Sequence, residues 1–182
     1  IEGTVLVKGP FDTAWKQLRE PAQMTPGTRF STDGRSRAFL ELFDGSTVQL
    51  YNNTELVLLE SQRGRFASDS QKTILTLNRG RLAVGISYSA NEAARHMEVT
   101  TPSGHVLLLE GSYVIGTFKN EQAEILVRRG KATLFSGADI AEVGAGGRGA
   151  YGPDMTPLGD LPPLSPLVQD PLLALPLNLS PW

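Results

Sequence analysis

The chain has 182 residues, 17 Lys and Arg against 19 Asp and Glu, a formal net charge of −2 and no Cys. This length suits one domain, because a typical domain takes about 100–200 residues. The absence of Cys excludes disulfides, thiolate nucleophiles and Cys-based metal sites, and the near-neutral charge argues against non-specific nucleic-acid binding, which needs a surplus of Lys and Arg.

Short runs of Val, Leu, Ile, Phe and Thr, separated by Gly, Asp-Gly or Arg-Gly, predict an all-β domain. The predicted strands are, in chain order, residues 4–8, 28–32, 38–43, 47–50, 55–60, 73–77, 82–88, 96–100, 105–109, 113–118, 123–127, 132–135 and 140–143. Helix competes only at residues 13–19, where Asp12 is a candidate N-cap, and at residues 91–95. Both segments are too short to form a helical layer.

Glycines mark the turns between these strands. Asp44-Gly45 lies between two apolar runs and predicts a hairpin turn, because both residues tolerate positive φ. Gly80 and Gly130 each lie between two cations, which predicts a positive-φ turn with the cations in water; a phosphate-binding nest is the alternative. Aligning the two glycines predicts a repeated unit. It sets Leu75, Leu77, Leu82 and Val84 against Ile125, Val127, Ala132 and Leu134.

Composition changes near residue 148. Residues 1–148 contain all 17 basic residues and 16 acidic ones, whereas residues 149–182 contain three Asp, no Lys or Arg, 8 of the 12 prolines and nine leucines. The sequence therefore predicts a β domain over 1–148 and an extended Gly/Pro/Leu-rich tail over 149–182. The Gly-rich segment 144–149 is interpreted as a flexible linker, because it lacks the Lys-Ser/Thr ending of a phosphate loop.

The tail has a composition typical of a docking segment. Its prolines favour extended polyproline II structure, and its leucines are too many for a solvated linker. We expect the tail to bury these side chains on a partner or on its own body. The predicted contact residues are Leu164, Leu167, Leu172, Leu173, Leu175, Leu177 and Trp182.

Several phrases of the body, taken together, are similar to a known family. They are IEGTVLV at 1–7, PGTRFST at 26–32, SRAFLEL and DGSTV at 36–42 and 44–48, LNRGRL at 77–82, TPSG and EGSYV at 101–104 and 110–114, and VRRGKA at 127–132. In this order the body, residues 1–148, resembles the FecR-type domain, known mainly from bacterial cell-envelope signalling proteins. The resemblance implies a β-solenoid-like stack of short strands, with rungs about 4.8 Å apart. A β-sandwich is the alternative, because the strand spacing suits it equally well.

Residues for chemistry are few. His96 and His105 flank the segment 101–104, and a hairpin there could bring them face to face. Two ligands without a patterned third make a poor metal site, and no Gly-x-Ser-x-Gly elbow occurs. We therefore predict no catalytic residues, no metal and no cofactor, and a protein that is not an enzyme. Phe11, Trp15 and Phe30 are predicted to close the core near the first loop, with a stacking platform as the alternative.

These observations predict a non-catalytic, extracytoplasmic protein–protein interaction or assembly module of a bacterial cell-envelope complex, in the periplasm or at the cell surface. Its expected partner is another protein or a second copy of the chain, with no nucleic acid, and with a membrane only through an anchor outside these residues. The alternative, which the resemblance implies, is a ligand- or signal-sensing domain of a membrane-anchored, anti-sigma regulator-like protein.

Overall fold

The computed structural model describes residues 1–63, 71–87, 95–118 and 122–152. These residues form twelve β-strands and no helix, so the all-β class is confirmed and no membrane-spanning helix is found in the described part. The strands are β1 Val5–Lys8, β2 Lys16–Leu18, β3 Arg29–Thr32, β4 Ala38–Glu41, β5 Thr47–Leu50, β6 Glu55–Arg63, β7 Gln71–Ile86, β8 Arg95–Thr101, β9 Gly104–Thr117, β10 Ala123–Ser136, β11 Asp139–Gly144 and β12 Arg148–Tyr151.

The predicted and observed strands differ in two ways. Strand β2 lies inside the segment where helix competes, and it pairs antiparallel with β1. Three pairs of predicted strands are single long strands, β7, β9 and β10. The predicted breaks at Gly80 and Gly130 are bends within a strand, where φ is +93° and +90°. The positive φ is therefore confirmed, whereas the chain reversal expected there is wrong.

All strands belong to one sheet, which is mixed because β7 and β8 pair in parallel. The bends divide β7, β9 and β10 between two sets of neighbours. Before Gly80, β7 pairs with β6 and β8, and from Gly80 onward it pairs with β5 and β9. We call the path β2-β1-β3-β6-β7-β8-β9-β10-β11 the nine-strand half and the path β4-β5-β7-β9-β10-β12 the six-strand half.

Inward side chains of both halves form one hydrophobic core. All eight residues of the aligned repeat are buried in it, so the repeat corresponds to two strands that bend at equivalent glycines. Burial of this apolar surface is the main stabilising term, at about 25 cal/mol per Å². The Asp44-Gly45 turn between β4 and β5 is confirmed, with Gly45 at φ +77° and the Asp44 carboxylate accepting a hydrogen bond from the Ser46 amide at 2.9 Å.

Strand β12 closes the core at the end of the described chain. Tyr151 is buried, its hydroxyl lies 3.5 Å from the Thr101 hydroxyl, and the Gly152 carbonyl accepts a hydrogen bond from Ser136 Oγ at 3.1 Å. The β structure thus runs three residues beyond the predicted boundary at 148.

The Gly-rich connection between β11 and β12 is an ordered turn, so its interpretation as a flexible linker is wrong. The Gly146 amide donates to the Val127 carbonyl at 2.8 Å, and the Gly147 carbonyl accepts from the Val127 amide at 3.0 Å. Gly146 has φ +81°. A Cβ on Gly149 would lie 2.7 Å from a Leu134 methyl carbon. Glycine is needed here for a tight turn and a close packing contact, not for flexibility.

Candidate interaction surfaces

The two histidines do not form a site. Strands β8 and β9 do form the expected hairpin, but its register sets His105 opposite Thr100. His96 lies four residues further along β8, which is about 13 Å at about 3.3 Å per residue. The His105 ring stacks on Phe135, with centroids 4.6 Å apart. No group of three metal-ligating side chains occurs among the described residues. The face-to-face geometry is therefore wrong, because the hairpin turn fixes a different register.

The three aromatic side chains near the first loop separate. Phe30 is fully buried in the core, as predicted. Phe11 is 98% exposed and Trp15 is 39% exposed, so the prediction that they close the core is wrong for both. The turn after β1 directs them outward, because the Asp12 carboxylate accepts a hydrogen bond from the Gly9 amide at 3.0 Å and one from Lys16 Nζ at 2.6 Å. The Lys16 contact is also the largest cause of the lowered pKa of Asp12.

The outer face of the six-strand half carries a second hydrophobic cluster, separate from the core. We call it the Tyr51 cluster. Residues alternate sides along a strand, so these side chains point away from the core residues that flank them. Strand pairing aligns most of them in one row across five strands. The Tyr51 cluster consists of the apolar residues Tyr51, Ala83, Val114 and Leu126. The aligned row contains the last three of these, with Gln49 at one end and Arg148 at the other.

Arginine side chains border this cluster. The guanidinium groups of Arg37 and Arg81 lie 5.8 and 5.5 Å from the centre of the Tyr51 ring, within the range of a cation–π contact. Arg81 was expected to be in water, as a cation beside Gly80. It is half-buried instead, because the bend at Gly80 places it beside Tyr51. Arg79 on the other side of the glycine is exposed, as predicted.

An ion pair adjoins the same row. Arg148 Nη2 lies 2.6 Å from Glu124 Oε1, and the two side chains are only 18% and 6% exposed. Strand register explains this pairing, because β12 lies beside β10 with Arg148 opposite Leu126 and Ala150 opposite Glu124. A buried pair of this kind is sensitive to the loss of one partner, which leaves an uncompensated charge.

A cleft of about 230 Å³ lies at the other end of the six-strand half. It is lined by Gly85, Ile86, Ser87, Gly111, Ser112, Arg128 and Arg129. Two guanidinium groups and two hydroxyls give it the chemistry to hold a small anion. Arg129 precedes Gly130, so the cleft lies next to the bend at Gly130. A phosphate-binding nest is the alternative function that the sequence offers for this glycine and its flanking cations.

Strand β4 is an edge strand of the six-strand half. Among the described strands it pairs only with β5, so the other side of its backbone has no strand partner beyond the single bridge between Glu2 and Arg37 that precedes it. Phe39 on this strand and Phe43 in the following turn are each 50% exposed. An unpaired strand edge with exposed aromatic groups is suited to bind another extended chain.

Parts of the predicted site lie outside the described residues. These are the tail residues Leu164, Leu167, Leu172, Leu173, Leu175, Leu177 and Trp182. Most of the segment 91–95, where helix competes, lies there too, although Arg95 itself begins β8.

Sequence comparison places the body in a known family. The family model described as FecR protein matches residues 28–133. The chain belongs to the FecR family. The matched region begins at β3 and ends inside β10, so it contains both glycine bends, the β8–β9 hairpin and most strands of the Tyr51 cluster. No curated protein is significantly similar to the chain in sequence.

Solved structures resemble this chain in fold over about two thirds of its length. Two crystal structures of a proposed anti-sigma factor from Parabacteroides distasonis, at 2.50 and 1.65 Å resolution, align with TM-scores of 0.54 and 0.51 and identities of 18% and 17%. Each alignment covers 67% of this chain and 53% of the other, so this chain spans about half the length of those proteins. At this identity the likeness concerns the fold.

Sequence reasoning missed the Tyr51 cluster, although a signal for it exists. The strand segments 82–86, 113–116 and 125–127 are apolar or Gly at every position and do not alternate with polar residues. Such continuous runs are typical of strands buried on both faces.

Proposed function

We propose that this FecR chain is a non-catalytic, extracytoplasmic protein-interaction domain of a bacterial cell-envelope regulator. The observation that carries the proposal is the family match over residues 28–133. A solved structure of similar fold is described as a proposed anti-sigma factor, and this supports a role in regulation. The partner is a protein or a second copy of this chain. The more specific role that the sequence predicts, an assembly module of a cell-envelope complex, is part of the same proposal.

The absence of catalysis is part of this proposal. The two described histidines are separated along β8 and β9, so they cannot act on one substrate or metal together. A metal titration followed by NMR, compared with His96→Ala/His105→Ala, tests it. We expect the wild type and the double variant to respond alike, and saturable binding that only the wild type shows would overturn the prediction that the histidines hold no metal, on which this part of the proposal depends.

We propose that the partner binds along the free edge of β4. An added strand would pair with the backbone of Ala38–Glu41 and cover Phe39 and Phe43. Backbone pairing supplies affinity and the two rings supply specificity, because aromatic side chains bury a large area when they dock.

In-cell photo-crosslinking tests this surface. Benzoylphenylalanine replaces Phe39 in the chain as it is natively expressed, and the matched control replaces Phe118, which is 42% exposed beyond the end of β9. We expect one protein to be crosslinked through position 39 and not through position 118. Crosslinks that are equal at both positions, or absent at position 39, would overturn the edge-binding proposal.

A second candidate is the sensing of a small anion, which the cleft lined by Arg128 and Arg129 favours. Inorganic phosphate is the probe, and the amide signals of Gly111 and Ser112 report binding by NMR. Arg128→Gln/Arg129→Gln removes the two charges, and Arg79→Gln is the control on an exposed arginine at the other bend. Shifts that saturate in the wild type and the control, but not in the double variant, support sensing. Unsaturated shifts in all three exclude it.

The region beyond the last strand is proposed as a docking tail. Because β12 ends at Tyr151 and the Gly152 carbonyl is hydrogen-bonded to Ser136, we propose that the tail begins at residue 153. Its leucines and Trp182 supply the apolar contacts, on a partner or on this body.

The winding of the strands is also a proposal. The parallel pair β7–β8 is the kind of pairing that a β-solenoid uses between rungs. The single core shared by both halves of the bent sheet is what a β-sandwich provides.

A further inference from the structure

The Tyr51 cluster is an apolar surface on the side of the sheet that faces away from the core. Its row crosses the strands β5, β7, β9, β10 and β12, and its central members are Ala83 and Val114. An antiparallel sheet face that meets water is normally polar, alternating with the apolar side that faces the core. Here both sides of the same strands are apolar.

Burial within the row is nearly complete at its centre. In the row, Val114 is 1% and Ala83 8% exposed, and Tyr51 beside it is 3% exposed. Phe39, which lies opposite Gln49 just beyond the end of the row, is 50% exposed. Low exposure of small side chains in the middle of an outer face is typical of a surface covered by another segment. The half-exposed ring at the edge marks the limit of that cover.

Charge indicates which segment this is. Arg37 and Arg81 border the cluster at Tyr51, and the Glu124 carboxylate on β10 is paired with Arg148. Residues 153–182 contain Asp154, Asp160 and Asp170, nine leucines and no Lys or Arg. The tail therefore combines the apolar surface that the row needs with the charge that the arginines favour.

Length and direction allow the tail to reach this face. The tail follows β12, which is itself the last strand of the row. Four strand spacings of about 4.8 Å make the row about 19 Å wide. Six residues of extended polyproline II chain, at about 3.1 Å each, span that width. The segment 153–182 is several times longer, so it is long enough to reach the row and return.

We infer that residues 153–182 bind the Tyr51 cluster of their own chain, with their leucines on Val114 and Leu126 and their aspartates beside Arg37 and Arg81. This deepens the proposed function, and rests on it, because it names the chain's own body as the place where the docking tail binds. The free edge of β4, where we propose that the partner binds, lies beyond the end of the row and stays accessible when the tail covers the row.

Paramagnetic NMR on the full chain tests the inference, and the absence of Cys makes it direct. Ser165→Cys gives a unique site for a nitroxide within the leucine-rich stretch. We expect strong broadening of the Val114 and Leu126 methyl signals, and none at Leu107, which lies on β9 in the nine-strand half. Arg37→Glu/Arg81→Glu should reduce the broadening at Val114 severalfold, and Arg79→Glu should leave it unchanged.

Each other outcome would overturn the inference. Broadening at Leu107 but not at Val114 would place the tail on the nine-strand half. A further sample mixes an isotope-enriched chain that carries no nitroxide with a chain that carries one. Broadening of the isotope-enriched chain in this mixture would show that the tail binds a second copy. No broadening at either methyl would leave the tail undocked. None of these results affects crosslinking through Phe39, so failure of this inference is distinguishable from failure of the proposed partner surface.

Discussion

Replacing Gly130 by Ala tests whether the bends hold the two halves of the sheet together. Gly130 has φ +90°, and a Cβ there would overlap the Glu110 carbonyl oxygen on β9. The Tyr113 hydroxyl lies at the same place, 3.0 Å from the Glu110 carbonyl oxygen, and accepts a hydrogen bond from the Lys131 amide at 3.2 Å. The new methyl group must therefore displace backbone, because no flexible side-chain end can move aside alone.

The cost can be worked out from these contacts. A left-handed backbone costs an L-residue about 1–2 kcal/mol, and each buried hydrogen bond that is lost adds about 1 kcal/mol. Displacing the Tyr113 hydroxyl breaks two of its hydrogen bonds, to the Glu110 carbonyl and from the Lys131 amide. With the backbone cost added, we expect Gly130→Ala to lower the free energy of unfolding by about 3–4 kcal/mol. At about 2–4 °C per kcal/mol for a chain of this size, Tm falls by about 6–16 °C.

Gly137→Ala is the matched control. Gly137 also has positive φ, at +58°, but an added Cβ there would meet nothing within 4 Å. We expect a loss of about 1 kcal/mol, from backbone conformation alone. Urea unfolding of the full chain, followed by circular dichroism, measures both variants. Equal losses in the two variants would refute the reasoning, because the contacts around Gly130 would then contribute nothing beyond its φ.

Three further predictions concern buried polar groups. Burial raises the pKa of Tyr151 from 10.0 to about 12, so the stability that its neutral form provides below pH 10 is lost as the pH rises to 12. This loss, on the order of 3 kcal/mol in full, should be absent from Tyr151→Phe in pH-dependent urea unfolding. Arg148→Met should cost about 3–5 kcal/mol by leaving Glu124 buried and unpaired, and adding Glu124→Gln should restore part of it; a double variant no more stable than the single would contradict this. The Ser36 hydroxyl, which donates to Asp33 at 2.5 Å, is the main cause of the lowered pKa of that carboxyl, so Ser36→Ala should raise the pKa of Asp33 in an NMR titration, and an unchanged value would contradict the assignment.

Local signals were sufficient for the strands. Alternation of apolar residues with Gly or Asp-Gly between them located ten of the twelve strands, since these patterns act within a few residues of one another. The missed strands were β2 and β12. Strand β2 is three residues long and has one apolar residue, so no alternation marks it. Strand β12 is held by pairing with β10, about 25 residues away, which the local pattern does not contain.

Long-range register limited the site predictions. The positive φ at Gly80 was predictable, but whether the chain reverses there or continues depends on its neighbours β5 and β9. Likewise, the spacing of His96 and His105 was compatible with a facing pair until the hairpin register set His105 opposite Thr100. The Tyr51 cluster was signalled by continuous apolar runs, yet its assembly needs five strands to be aligned.

Because β7, β9 and β10 each run through both halves of the sheet, neither half has a complete set of strands of its own. The body should therefore unfold as one cooperative unit, with slowly exchanging amides on both sides of each bend opening at the same free energy. Its pairs link residues far apart in sequence, as when Glu55 pairs with Arg79 or Arg81 with Gly116. Loops must close before these contacts form, so folding should take milliseconds to seconds. A FecR body built in this way is present either whole or not at all, and a signal carried by it cannot arise from one half folding alone.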